Sequence, residues 1–306
     1  MVQIADPNPA ARRPKVLPPG ARPLASRASL NWLGLVPFVL FAALFLIFPV
    51  FYLVNGALQT PDGRYSLDTM LSLAQPQIAA SYWLTIRLSV VSALSGTALG
   101  LALGYALYMG GLPVWVRRTF LTFSGVASNF AGVPLAFAFI ATLGRLGLVT
   151  LVLRDVFGVN IYAAGFNLFS FWGLALTYLY FQLPLMLLMI APALEGLRPE
   201  WREAAQSLGA SGRQYWARVA LPVLAPSVIG CFLLLFANAF GTLATVYALT
   251  SSNVPVVPIL LFQQIRGNVL YNPNLGYALA LGMILIMAAS NTLYFILRRR
   301  AERWRA

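Results

Sequence analysis

From Val219 to Ile265 the chain reads VALPVLAPSVIGCFLLLFANAFGTLATVYALTSSNVPVVPILLFQQI, without one charged residue. A helix needs only about 20 mostly apolar residues to cross the core of a bilayer. The stretch 222–249 within this run predicts one membrane-spanning helix, and 33–56, 83–108, 120–143, 168–194 and 275–297 predict five more. Buried helices of a soluble protein are the competing reading, and composition opposes it. The chain is 59% hydrophobic and 9% charged, with mean hydropathy +0.76, whereas soluble domains are roughly a quarter charged. The fold class is therefore all-α, a polytopic membrane protein with six transmembrane helices. Pro49, Pro134 and Pro184 fall inside these stretches and read as kinks, which spanning helices tolerate.

Absent residue types narrow the chemistry. The sequence has no histidine, a single cysteine, Cys231, and a single lysine, Lys15. A zinc cluster of paired cysteines, an intrachain disulfide and a His-based triad are excluded. A GxxxxGK[ST] phosphate loop needs a lysine well beyond position 15, so ATP is not bound here by that device. The expectation is no cofactor and no metal in this chain. The net charge of +13 could signal nucleic acid, but the arginines gather at the ends of apolar runs, where membrane topology accounts for them.

Those arginines set an orientation. With the amino terminus inside, Arg12, Arg13, Lys15, Arg22 and Arg27 face the cytoplasm. So do Arg117 and Arg118, Arg198, Arg202, Arg213 and Arg218, and the cluster Arg298, Arg299, Arg300, Arg303 and Arg305. Only Arg64, Arg145, Arg154 and Arg266 fall in outer loops, and Arg87 lies near the outer end of the second span. The positive-inside rule then predicts a multi-pass membrane protein with both termini cytoplasmic. Residues 1–30, rich in Pro, Arg and Ala, read as a flexible cytoplasmic tail, and 31–306 as the six-helix domain. The outer segments 144–166 and 250–274 carry apolar residues at near-helical spacing, predicting short helices on the outer face.

Between the fourth and fifth spans lies EAAQSLGASGRQYWARVALP, residues 203–222. Pro199 suits the first turn of a helix, and Glu200 and Glu203 suit its positive end. Gly209 suits the left-handed residue that closes it, and Ser211 with Gln214 has the spacing of a capping box opening a second helix. The prediction is a tight helical hairpin within 195–222, with Ala204, Ala205 and Leu208 forming a small apolar face.

Glu203-Ala204-Ala205, three residues, Gly209, nine residues, Val219, one residue and Leu221-Pro222 resembles the EAA loop of permease subunits in binding-protein-dependent ATP-binding cassette importers. Val219 stands where that family often has Ile. The similarity extends over roughly 82–297. It implies the type I importer permease fold and a non-catalytic role, with ATP and magnesium held by partners. Implied partners are two ATP-binding subunits, a second permease that is identical or homologous, an external solute-binding protein and membrane lipid. The loop would be a coupling helix seated on the ATPase. Glu203 would make polar contact, Ala204 and Ala205 would allow close seating, Gly209 would permit the turn, and Arg202 and Arg213 would be rim contacts.

Polar residues within spans are candidates for the solute path. They include Asn129 and Asn291, and above all Tyr178, Gln182, Asn238, Thr242, Thr245 and Tyr247. Asn238, Thr242 and Thr245 fall at i, i+4 and i+7 and would share one helical face. For each of them, interhelical hydrogen bonding is the competing role. Gly96, Gly100 and Gly104 repeat every four residues and predict close helix packing. A proton-coupled transporter is the alternative mechanism, yet all eight acids, Asp6 to Glu302, sit outside the spans or at their ends. An intramembrane enzyme lacks a His or buried acid pair. By general likeness the cargo is expected to be a small polar solute such as a polyamine, with aminoethylphosphonate, ferric iron or thiamine as alternatives.

Overall fold

A computed structural model of the chain describes residues 32–60, 62–251, 253–267 and 273–302. The expected tail lies outside these residues. Contacts divide the chain into two units, Met1–Tyr52 and Leu53–Ala306. In the first, a 3₁₀ turn at Trp32–Leu35 opens helix α1, Val36–Ala57, which runs on across the unit boundary. Its large side chains, Phe38, Phe45 and Phe51 among them, are exposed, as suits a helix whose surroundings are lipid.

The second unit carries α2 Pro76–Met109, α3 Val114–Asn129, α4 Val133–Leu143, α5 Leu148–Asp155, α6 Phe171–Glu195 and α7 Pro199–Ser207. Then follow α8 Gly212–Phe240, α9 Ala244–Thr250, α10 Val257–Gly267 and α11 Pro273–Glu302. Among the described residues six helical stretches are long and apolar enough to cross a membrane, the number the sequence predicts. The third, however, is Val133–Asp155 where 120–143 was expected, and the fifth is Gly212–Phe240 where 222–249 was expected.

The glycine repeat does what its spacing implies. A Cβ at Gly100 would lie 2.6 Å from Met186 Cβ, and one at Gly96 or Gly104 would run into Gln182 or Leu194. These glycines form a groove on α2 into which α6 fits. Along the same helix, the buried Thr85 and Ser89 hydroxyls donate to the carbonyls of Ser81 and Thr85 at 2.7 and 2.8 Å, so the hydroxyl ladder is satisfied within its own helix.

Two π-turns have a shared cause. Residues 43–47 in α1 and 216–220 in α8 wind with a widened turn, and each ends two residues before a proline, Pro49 and Pro222. Proline removes a backbone N–H, and its ring crowds the carbonyl four residues back. Widening the preceding turn relieves that crowding without breaking the helix.

Two expected spans are not single helices. The third, 120–143, breaks at 130–132, where Gly132 has φ +75. The fifth, 222–249, breaks at 241–243, between Phe240 and Ala244. Segments 144–166 and 250–274 do hold short helices, α5 and α10, but α5 belongs with α4 to the one apolar stretch Val133–Asp155, and α10 is buried at its start. Val257 and Ile259 are buried, and Val257 N–H donates to the Thr85 hydroxyl of α2 at 3.0 Å.

Candidate functional site

The hairpin between α6 and α8 is built by local rules that can be followed bond by bond. Arg198 is the extended residue before α7, and Pro199 begins it. At its end Ala210 N–H donates to Ala205 O and Gly209 N–H to Gln206 O, each at 2.9 Å. With Gly209 at φ +77, this is the Schellman pair of bonds that closes a helix on a left-handed residue. Two residues later the capping box is complete. Ser211 Oγ accepts from Gln214 N–H at 3.3 Å, and Gln214 Oε1 accepts from Ser211 N–H at 2.8 Å.

Packing then fixes the hairpin at one end and leaves the other open. Tyr215 and Ala220 are buried in the core formed with Met186, Ile190 and Leu194, and Trp216 and Val219 pack against that core. Burying one such aromatic contributes about 1.5–3 kcal/mol. Ala205 faces the same core and is half-buried, whereas Glu203 and Ala204 are exposed and Leu208 at the apex is 88% exposed. The arrangement can present an apolar tip on a rigid stem.

The second feature is a crossing of the two breaks. Gly132 N–H donates to Thr245 Oγ at 2.9 Å, and Ala244 packs beside Gly132. Thr245 is fully buried. The interruption before α4 is thus capped by a hydroxyl from just beyond the interruption before α9. Irregular backbone inside a membrane needs such partners. Leu135, Ala136 and Val246 set the crossing into its own core, with Leu174 and Phe181.

Residues 96–305 match the family of binding-protein-dependent transport system inner membrane components. The chain belongs to that family. A probable sulfate transport system permease protein, cysT, of Nephroselmis olivacea is 28% identical over 263 residues, covering 83% of this chain and 86% of that protein. The sulfate transport system permease protein CysT of Salmonella typhimurium is 28% identical over 211 residues, covering 68% and 70%. In fold, the chain resembles a bacterial ABC transporter involved in import of the acidic polysaccharide alginate, with TM-score 0.67 at 18% identity over 90% of this chain and 96% of that one.

This permease is accordingly a non-catalytic, multi-pass inner-membrane subunit of an ATP-binding cassette importer, and ATP is hydrolysed in a partner. Its family works with a solute-binding protein outside and an ATPase subunit. Among the described residues no group of three or more acids or cysteines is placed to hold a metal.

The structure brings together Arg202, Glu203, Ala204, Ala205, Leu208, Gly209 and Arg213 on one hairpin. Ala205 is half-buried and packs against the permease's own core.

The solute-path residues divide. Asn238 and Tyr247 are exposed and Thr242 is half-buried, with the Thr242 hydroxyl donating to Asn238 O at 2.7 Å. The break at 241–243 interrupts the face on which Thr245 was to continue, and Thr245 is instead the cap of the crossing. Tyr178 and Gln182 are also buried within the chain. The Tyr178 hydroxyl reaches Thr242 O at 3.4 Å, and Gln182 Nε2 donates to Ser92 Oγ at 3.0 Å. In this conformation these three are buried and bonded between helices of the chain.

Sequence reasoning missed the crossing. Asn129 ends α3 with its side chain donating to Gly125 O at 2.8 Å, and Gly132 follows three residues later. An Asn followed by Gly inside an apolar run was the available signal. Arg87 is exposed and stacks over Phe171 at 5.6 Å.

Proposed function

We propose that this permease forms half of a pathway for a small tetrahedral oxyanion of the sulfate class and is driven by an ATPase docked on the 199–222 hairpin. The observation that carries the coupling is the hairpin itself. Its second helix is anchored by Tyr215 in the core that also holds α6, while its apex exposes Leu208. A push at the apex is therefore delivered to two spans. Ala204 and Glu203 remain available to a partner surface, with Arg202 and Arg213 beside them.

Sulfate is the cargo named for the relatives, which are 28% identical over much of this chain. They favour an oxyanion over the polyamine expected from the sequence. The outer arginines Arg64, Arg145, Arg154 and Arg266 agree with that choice, since a polycation gains nothing from them. The assembly has two ATPases, a second permease that is identical or homologous, and both termini in the cytoplasm. ATP and magnesium sit in the ATPases.

The test is uptake into proteoliposomes holding the assembled transporter, with its binding protein supplied outside and ATP inside. Radiolabelled sulfate should accumulate only with hydrolysable ATP, and putrescine should neither accumulate nor compete. Accumulation of putrescine, or of aminoethylphosphonate, in place of sulfate would overturn the cargo reading.

A further inference from the structure

Where the hairpin meets the ends of α2, α3 and α6 there is a cavity of 1080 Å³. Four arginines line it: Arg117 from α3, Arg198 before α7, Arg202 on α7 and Arg213 at the start of α8. Two acids, Glu195 and Glu203, share the lining. Glu195 accepts a hydrogen bond from the Tyr108 hydroxyl at 3.0 Å, and Arg117 stacks over that same ring at 5.0 Å. Among the described residues the only salt bridge is Arg154–Asp155, so no arginine of the cavity is paired with either acid.

The lining thus carries two more positive charges than negative ones. Tyr105 and Trp216, packed edge to face at 5.0 Å, add aromatic surface to the same wall. A cleft lined mainly by one sign of charge with apolar walls concentrates counter-ions. Guanidinium groups suit tetrahedral oxyanions in particular, because their forked N–H groups bind two oxygens at once. We propose that this cavity binds a phosphate or sulfate group, as the free anion or as the headgroup of an anionic lipid. Bound there, the group bridges the hairpin arginines, Arg202 and Arg213, to Arg117 and Arg198 at the span ends, and ties the coupling hairpin to the bundle.

The experiment uses the assembled transporter, ATPase included, in phosphatidylcholine nanodiscs, with radiolabelled inorganic phosphate as probe in equilibrium dialysis. Wild type should bind it, and Arg117→Gln with Arg198→Gln should weaken binding about tenfold or more, the scale of one lost charge-assisted contact. Arg198→Lys, which keeps the charge and loses the fork, should fall between, and Arg218→Gln, outside the cavity, should match wild type. A second arm includes phosphatidylglycerol in the discs. If the lipid is the source, it co-purifies with wild type more than with the double variant and displaces phosphate. If the free anion is the source, phosphate binding persists. Absence of both ligands from wild type, or equal retention by the double variant, overturns the proposal. Neither result bears on the sulfate uptake that tests the proposed function.

Discussion

The hairpin at 199–222 and the crossing at Gly132 and Thr245 are both places where helices stop, yet they are stopped by different means. Every bond that shapes the hairpin joins residues at most five apart, such as Ala210 to Ala205 and Gln214 to Ser211. The crossing depends on a bond between residues 113 apart. The first is a local stop carrying an exposed tip, suited to meeting another protein. The second is a tertiary stop, buried, suited to holding two interrupted helices in register.

That contrast predicts how each region breaks. The largest effect is expected at Gly209. Valine at φ +77 forces a β-branched residue into the left-handed region, so Gly209→Val should leave the chain inserted while ATP-driven uptake falls at least tenfold relative to ATP hydrolysis. Parallel uptake and hydrolysis assays in proteoliposomes check this, and preserved coupling would break the distinction between tip and stem.

At the crossing the expected loss is one of stability. Thr245→Val leaves the part-buried Gly132 N–H without its acceptor, at a cost of about 1 kcal/mol. Thr245→Ser should restore most of it. Thermal denaturation in detergent reads the difference, and equal melting for Val and Ser would show that the hydroxyl does not hold the crossing. Ser211→Ala removes only one half of a surface capping box and should cost about 1 kcal/mol.

The smallest effect sharpens the division among path residues. Cysteines placed at Asn238 and Thr242 should react with small water-soluble thiol reagents, and one at Thr245 should be protected in the conformation described. Reaction at Thr245 equal to that at Asn238 would place the crossing in the path.

The same contrast explains what could be read in advance. The six apolar stretches, the glycine groove of α2 and each cap of the hairpin follow from periodicity and near neighbours, and all are visible in the sequence. The bond that joins Gly132 to Thr245 is not, because Thr245 looks in sequence like the continuation of the Asn238 and Thr242 face. Only the fold shows that its hydroxyl is already committed to Gly132. Tyr178 and Gln182 mislead in the same way, since a polar residue inside a span can serve a path or a neighbouring helix, and packing decides between them. The arginine cavity needed two segments far apart in the chain, 105–117 and 194–216, to meet.

Docking on the hairpin requires that its apex meet the ATPase. With the buried Cys231 replaced by alanine, a cysteine at Leu208 would be the only thiol of the chain, at a position 88% exposed. Treating the assembled transporter with a short bifunctional thiol reagent, against a set of single-cysteine ATPase variants, tests it directly. The expected result is a permease–ATPase cross-link whose yield changes with nucleotide. No cross-link to the ATPase in any nucleotide state, in a transporter that still imports, would contradict it.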